Sequence, residues 1–210
     1  MAIVHYFYDP LCGWCYAAKP LVDVLSTIPG LEIRLHGGGL WAEPTHLPPP
    51  KRDMIRAADG RIAELSGQTF GSAYLDGLLP DEKTVFHSRP TIAAVLAAQS
   101  LDPTRALTML GAIQHAHYVD GRRVVEDAVL TSLAAEIGFR EDAFTEAFRA
   151  IPVDAHIDET RGLMARLGLG GFPSLILEHE GNLYALPHQQ FYGRPREFLD
   201  ALKRLPAFAE

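Results

Sequence analysis

The sequence predicts an α/β protein whose strand-and-helix unit is split by a large all-helical insertion. Three observations carry this: the chain opens with a β-α-β pattern, runs as helices from about 51 to 168, and closes α-β-β-α.

"IVHYFYD" (3–9) is an apolar, aromatic run closed by Asp9–Pro10, and reads as a buried strand. "GWCYAAKPLVDVLSTI" (13–28) sets Ala17, Leu21, Val24, Leu25 and Ile28 at helical spacing, with Pro20 expected to kink or restart the helix. Pro29–Gly30 ends it. "LEIRLHG" (31–37) alternates Leu31, Ile33 and Leu35 with Glu32, Arg34 and His36, a strand with one buried face. His36 is therefore expected to face solvent, and His5 to lie on the strand surface. The crossover between the strands is long enough for a parallel pair.

A Gly/Pro-rich loop, "GGGLWAEPTHLPPP" (37–50), leads into the helical block. Pro90, Asp102–Pro103 and Glu126–Asp127 mark helix starts there, and Gly138 marks an end. A last helix over 154–168 runs into "LGGFPS". Beyond it, 174–187 reads as a hairpin turning at Glu180–Gly181–Asn182, and 194–205 as a closing helix. The expected organisation is a discontinuous unit, 1–45 and 154–210, enclosing a helical insertion over 46–153.

A chain of 210 residues buries a core without cross-links, so its two cysteines are not needed for stability. The net charge of −7 argues against a general nucleic-acid or anionic-membrane surface. "MAIVHYFYDP" has no basic segment, long apolar run or cleavage site, and no stretch is apolar enough to span a bilayer. The expected location is the cytoplasm, where closely spaced cysteines are more often catalytic or metal-binding than structural.

Both cysteines fall in "DPLCGWCYAAKPL" (9–21), with Gly13 and Trp14 between them. Cys12 stands where the first strand gives way to the first helix. Free amide N–H groups and the helix dipole favour a thiolate there. Cys15 follows one turn later on the same face, a spacing that can meet disulfide geometry. The redox reading has Cys12 as the attacking thiolate and Cys15 as the thiol that resolves the mixed disulfide. A zinc site would need two more ligands, and His115 and His117 point to different faces of one helix. Two inert core thiols remain the plain alternative. "GGFPS" (170–174), just before an apolar strand, is either an ordinary loop proline or, if Phe172–Pro173 is cis, a tight turn presenting backbone groups to a substrate.

"FYDPLCGWCYAAKPL", a helical insertion and the late "GFPSLIL", in that order, resemble the DsbA-like branch of the thioredoxin superfamily, and especially the cytosolic-type members described as protein-disulfide isomerases. The resemblance implies a thioredoxin-like fold with a large all-helical insertion and a thiol-disulfide oxidoreductase. It implies Cys12 as nucleophile, Cys15 as resolving cysteine, and Gly13 and Trp14 as the dipeptide that tunes the redox poise. Pro173 would be the cis-proline packed across the disulfide, with Phe172 before it, and both would bind substrate. No metal or cofactor is implied. The partners would be protein or small-molecule disulfides and thiols, glutathione among them, with no nucleic acid and no membrane.

Two other functions compete. Kappa-type glutathione transferases and chromene-carboxylate isomerases share the scaffold but typically carry serine where this chain has Cys12. A chaperone-like binding module would use the helical insertion without the thiols. Among the remaining candidates, "HAHYVDGRR" (115–123) either lines the cleft between domains or, the favoured reading, is a helix end and solvated loop; Trp41 with "PTHLPPP" forms a rim near the active site or caps the insertion; and Asp9 ends the strand. No acid is assignable near the thiols.

Overall fold

The computed structural model describes residues 2–205; Met1 and 206–210, the far end of the expected second segment, lie outside the described residues. A four-stranded sheet is built from β1 (Ala2–Tyr8), β2 (Leu31–Gly37), β5 (Ser174–His179) and β6 (Asn182–Ala185), in the order β2-β1-β5-β6. β1 and β2 are parallel, joined through α1 (Gly13–Leu25), while β5 and β6 run antiparallel to their neighbours. The β5–β6 turn places Glu180 and Gly181 at φ 50° and 78°, as a two-residue hairpin loop requires.

β1 is buried along its whole length because both sheet faces are covered. Val4, Tyr6 and Tyr8 enter the main core with α1 and α8 (Pro195–Leu202), whereas Phe7 packs with Met164 of α7 (Val153–Arg166) and Ile176. α7 also covers β2, and this corrects two expectations. His36 is half-buried and stacked on Phe7 at 4.6 Å, and His5, 9% exposed, bonds both His36 Nε2 and Glu178 Oε2 at 2.9 Å. Burial, with His5 and His156 beside it, pushes His36 down to about 4. One-sided burial would have left these imidazoles in water; the covering helix removes that face.

Between the halves of this unit lie α2 (Pro49–Ser66), α3 (Ser88–Leu101), α4 (Ala106–Tyr118), α5 (Asp127–Glu136) and α6 (Glu141–Ala150). A π-type helical turn over Ala73–Leu78 and a pair of two-residue strands, β3 (Thr45–His46) and β4 (Val85–Phe86), were not expected, being too short for a periodic signal. Pro20 does not break α1. Its ring denies the Tyr16 carbonyl a helical partner, and the Gln68 side chain donates to that oxygen at 2.7 Å instead.

Candidate active site

Cys12 caps α1 with extended backbone (φ −102°, ψ 115°), so its side chain stands beside the helix's free N–H groups. Cys12 is 7% exposed and Cys15 is fully buried; both thiols are free. The Cys15 sulfur accepts the Asp9 N–H at 3.4 Å. Burial pushes its thiol well up, and a hydrogen bond with Cys12 adds to this. The reachable thiol is therefore Cys12.

The Phe172–Pro173 bond is cis, and the Phe172 carbonyl accepts from the Cys12 thiol at 3.7 Å, across 160 positions of sequence. Phe172 is held firmly: Arg161 of α7 lies 5.0 Å over its ring, and its edge lies where a Cβ at Gly38 would be, 2.1 Å away. Trp14 stacks on Tyr192 at 5.5 Å. Cys12, Cys15, Gly13, Trp14, Phe172 and Pro173 thus meet in one place.

Two hollows flank Trp14. One, about 320 Å³, is lined by Phe172, Pro173, Gln189, Tyr192 and Leu65. The other, about 380 Å³, reaches from Cys12 to Trp41, Lys51, Asp59, Tyr74 and Tyr118. Trp41 is thus part of the wall. The expected solvated loop after α4 is corrected in part: Tyr118 is buried in that wall, stacked on Tyr16 at 4.9 Å, and His117 is buried beneath it. His115 is exposed, 3.6 Å from Asp120. Among the described residues no cluster of three or more His, Cys, Asp or Glu is placed to hold a metal ion.

The structure also places two buried acids here. Asp9 is fully buried; its carboxylate accepts the N–H groups of Leu11 at 2.9 Å and Leu40 at 2.6 Å, tying the loop before Cys12 to the loop carrying Trp41. Burial still pushes it up. Asp59 of α2 is 3% exposed and accepts the Tyr74 hydroxyl at 2.8 Å. Burial pushes it up to about 7, against that hydrogen bond. No motif announces Asp59: it lies 47 positions beyond Cys12 on an amphipathic helix, and only packing brings it in.

A sheet of this order, with paired thiols at its first strand–helix junction, defines a thioredoxin-fold thiol-disulfide oxidoreductase. The chain belongs to the DsbA-like thioredoxin family, whose model, the DSBA-like thioredoxin domain, matches residues 3–196. Among solved structures it is similar to the cytosolic disulfide reductase DsbM from Pseudomonas aeruginosa, with 46% identity and TM-score 0.90, covering 96% of this chain and 97% of that one. The same protein with GSH matches at 45% identity and TM-score 0.87, over 97% and 100% of the two chains. A candidate protein disulfide isomerase from Nitrosomonas europaea matches at 25% identity and TM-score 0.82, over 95% and 96%. No curated protein sequence matches the chain.

Proposed function

We propose that the protein is a cytoplasmic disulfide reductase that exchanges disulfides with small thiols, glutathione foremost, through a Cys12–Cys15 couple. Cys12 attacks a substrate disulfide as thiolate, forming a mixed disulfide and releasing one thiol. Cys15 then displaces the second thiol, leaving the Cys12–Cys15 disulfide, which glutathione reduces in turn. The observation that carries this is the asymmetry of the pair: one thiol lines the larger hollow, and the other is fully buried with a raised pKa. Gly13 and Trp14 set the redox poise, and Phe172 and Pro173 hold the substrate backbone. In this reading 1–45 with 154–210 forms the redox unit and 46–153 the insertion that shapes the larger hollow. The similarity to DsbM, described both as a cytosolic disulfide reductase and with GSH, favours reduction over isomerisation and glutathione as partner.

The test uses two variants. Cys12→Ser is expected to abolish glutathione-driven reduction of insulin and of a small disulfide other than that of glutathione. Cys15→Ser is expected to accumulate one glutathione per chain on Cys12, seen as an intact-mass increment that dithiothreitol removes. A Cys12→Ser protein with full activity overturns the reading.

A further inference from the structure

The hollow beside Cys12 carries an acid that the exchange just described does not use. Asp59 and Cys12 line the same hollow, and the Asp59 carboxylate has one oxygen, Oδ2, engaged by Tyr74 at 2.8 Å. The other, Oδ1, has no hydrogen-bond partner among the described residues, and lies 2.8 Å from the point where a Cβ on residue 13 would sit. Glycine between the thiols therefore leaves this oxygen open beside the reacting cysteine. We propose that Asp59 is the proton donor of the site, passing its proton to the sulfur that leaves when Cys12 opens a disulfide in this hollow. This rests on the Cys12–Cys15 reading above and adds the substrate class: small disulfides whose released half is a basic alkyl thiol.

The chemistry needs such a group. An alkyl thiol ionises near pH 8.5, so its thiolate is a poor leaving group at neutral pH. The hollow is walled by Trp14, Trp41 and Phe86, and a bare thiolate there loses much of its hydration. In the forward step the Cys12 thiolate attacks one sulfur of R–S–S–R′. The Cys12–SR bond forms, the S–S bond breaks with its electron pair leaving on R′S, and the Asp59 proton passes to that sulfur. The products are the mixed disulfide, R′SH and the Asp59 carboxylate. In reverse, the carboxylate takes the proton of an incoming thiol that opens the mixed disulfide.

The surroundings suit a carboxyl that holds its proton to about neutral pH. Tyr74, from the π-type turn, and Tyr118, from the end of α4, face Asp59 with neutral hydroxyls, since burial pushes both well up. Cys12 faces it from the start of α1. Of the cations on its own helix, Arg56 is turned to Asp76 at 3.3 Å and Arg52 to the Leu47 and Pro80 carbonyls, while Lys51 lines the same hollow. Burial therefore prevails over every charge in reach.

The experiment measures single-turnover reduction by the full reduced chain, across disulfides whose leaving thiols run from aromatic (weakly basic) to alkyl (strongly basic). Asp59→Asn keeps the volume and still accepts from Tyr74. It is expected to slow the alkyl disulfides about a hundredfold while slowing the aromatic ones about twofold or less, because weakly basic thiolates leave unprotonated. Tyr74→Phe removes the hydrogen bond that lowers the Asp59 pKa, so the fall in alkyl-disulfide rate at high pH is expected to move to higher pH. An equal loss across the series, no loss at all, or an unmoved high-pH limb in Tyr74→Phe overturns the proposal. These results are distinct from failure of the underlying reading: turnover that survives Cys12→Ser rejects the dithiol couple, whereas turnover that needs Cys12 but keeps the wild-type leaving-group dependence in Asp59→Asn rejects Asp59 alone.

Discussion

At the scale of single residues, Gly13 is pressed closely against α2. A Cβ there would come within 2.8 Å of Asp59 Oδ1 and 2.9 Å of Ile62 Cδ1, both on α2. Gly13→Ala must push these side chains back or tilt α1 away. Forced overpacking of this kind costs about 1–3 kcal/mol. Chemical denaturation is expected to show that loss, and alkylation of Cys12 to change in rate, because the helix start that flanks the thiol shifts with residue 13. The family resemblance implies only that this dipeptide tunes the redox poise. The structure adds a steric task that no pattern in the sequence reveals, since the partner helix begins more than thirty positions later. The same blindness explains Asp9: an Asp-Pro at the end of a strand is an ordinary stop signal, and only the fold shows its carboxylate holding two loops together.

At the scale of elements, α1 matters most, because it carries both thiols and a proline. A proline inside a helix removes one hydrogen bond and strands the carbonyl four residues earlier. Here the stranded oxygen is that of Tyr16, in the turn just after Cys15, and Gln68 satisfies it from beyond the Gly67 cap of α2. The side chain thus tethers the end of α2 to the helix that carries both thiols. Gln68→Ala leaves the Tyr16 carbonyl without its partner and is expected to destabilise the fold by about 1–3 kcal/mol in urea unfolding. Hydrogen-exchange protection is expected to fall first in the turn 15–20. The β-α-β opening, the hairpin and the long helices were legible because each spans several periods of its apolar pattern. The π-type turn, β3 and β4 were not, although the first supplies Tyr74 and the last Phe86 to the hollow.

At the scale of the molecule, the order of elements and the place of the cysteines could be read from the sequence, while the second wall of the site could not, because it comes from the insertion. That wall has a thermodynamic cost. The Asp59 pKa is raised from an unfolded value near 4 to about 7. The folded state therefore binds the extra proton in this window, and the stabilisation present below pH 4 is lost as pH rises through 7. Asp59→Asn removes that slope. Relative to the wild type it is expected to gain on the order of 4 kcal/mol between pH 4 and 8, read from paired urea titrations. Neutral buried imidazoles such as His36 and His117 act in the opposite sense, weakening the fold as pH falls below about 6.5, but they are common to both proteins and cancel in the difference. The chain also holds only two tryptophans, and both line the hollow at Cys12, Trp14 stacked on Tyr192 and Trp41 beside Phe86. Indole emission from this protein consequently originates wholly beside Cys12, so the molecule carries an optical reporter of its own for whatever befalls that thiol.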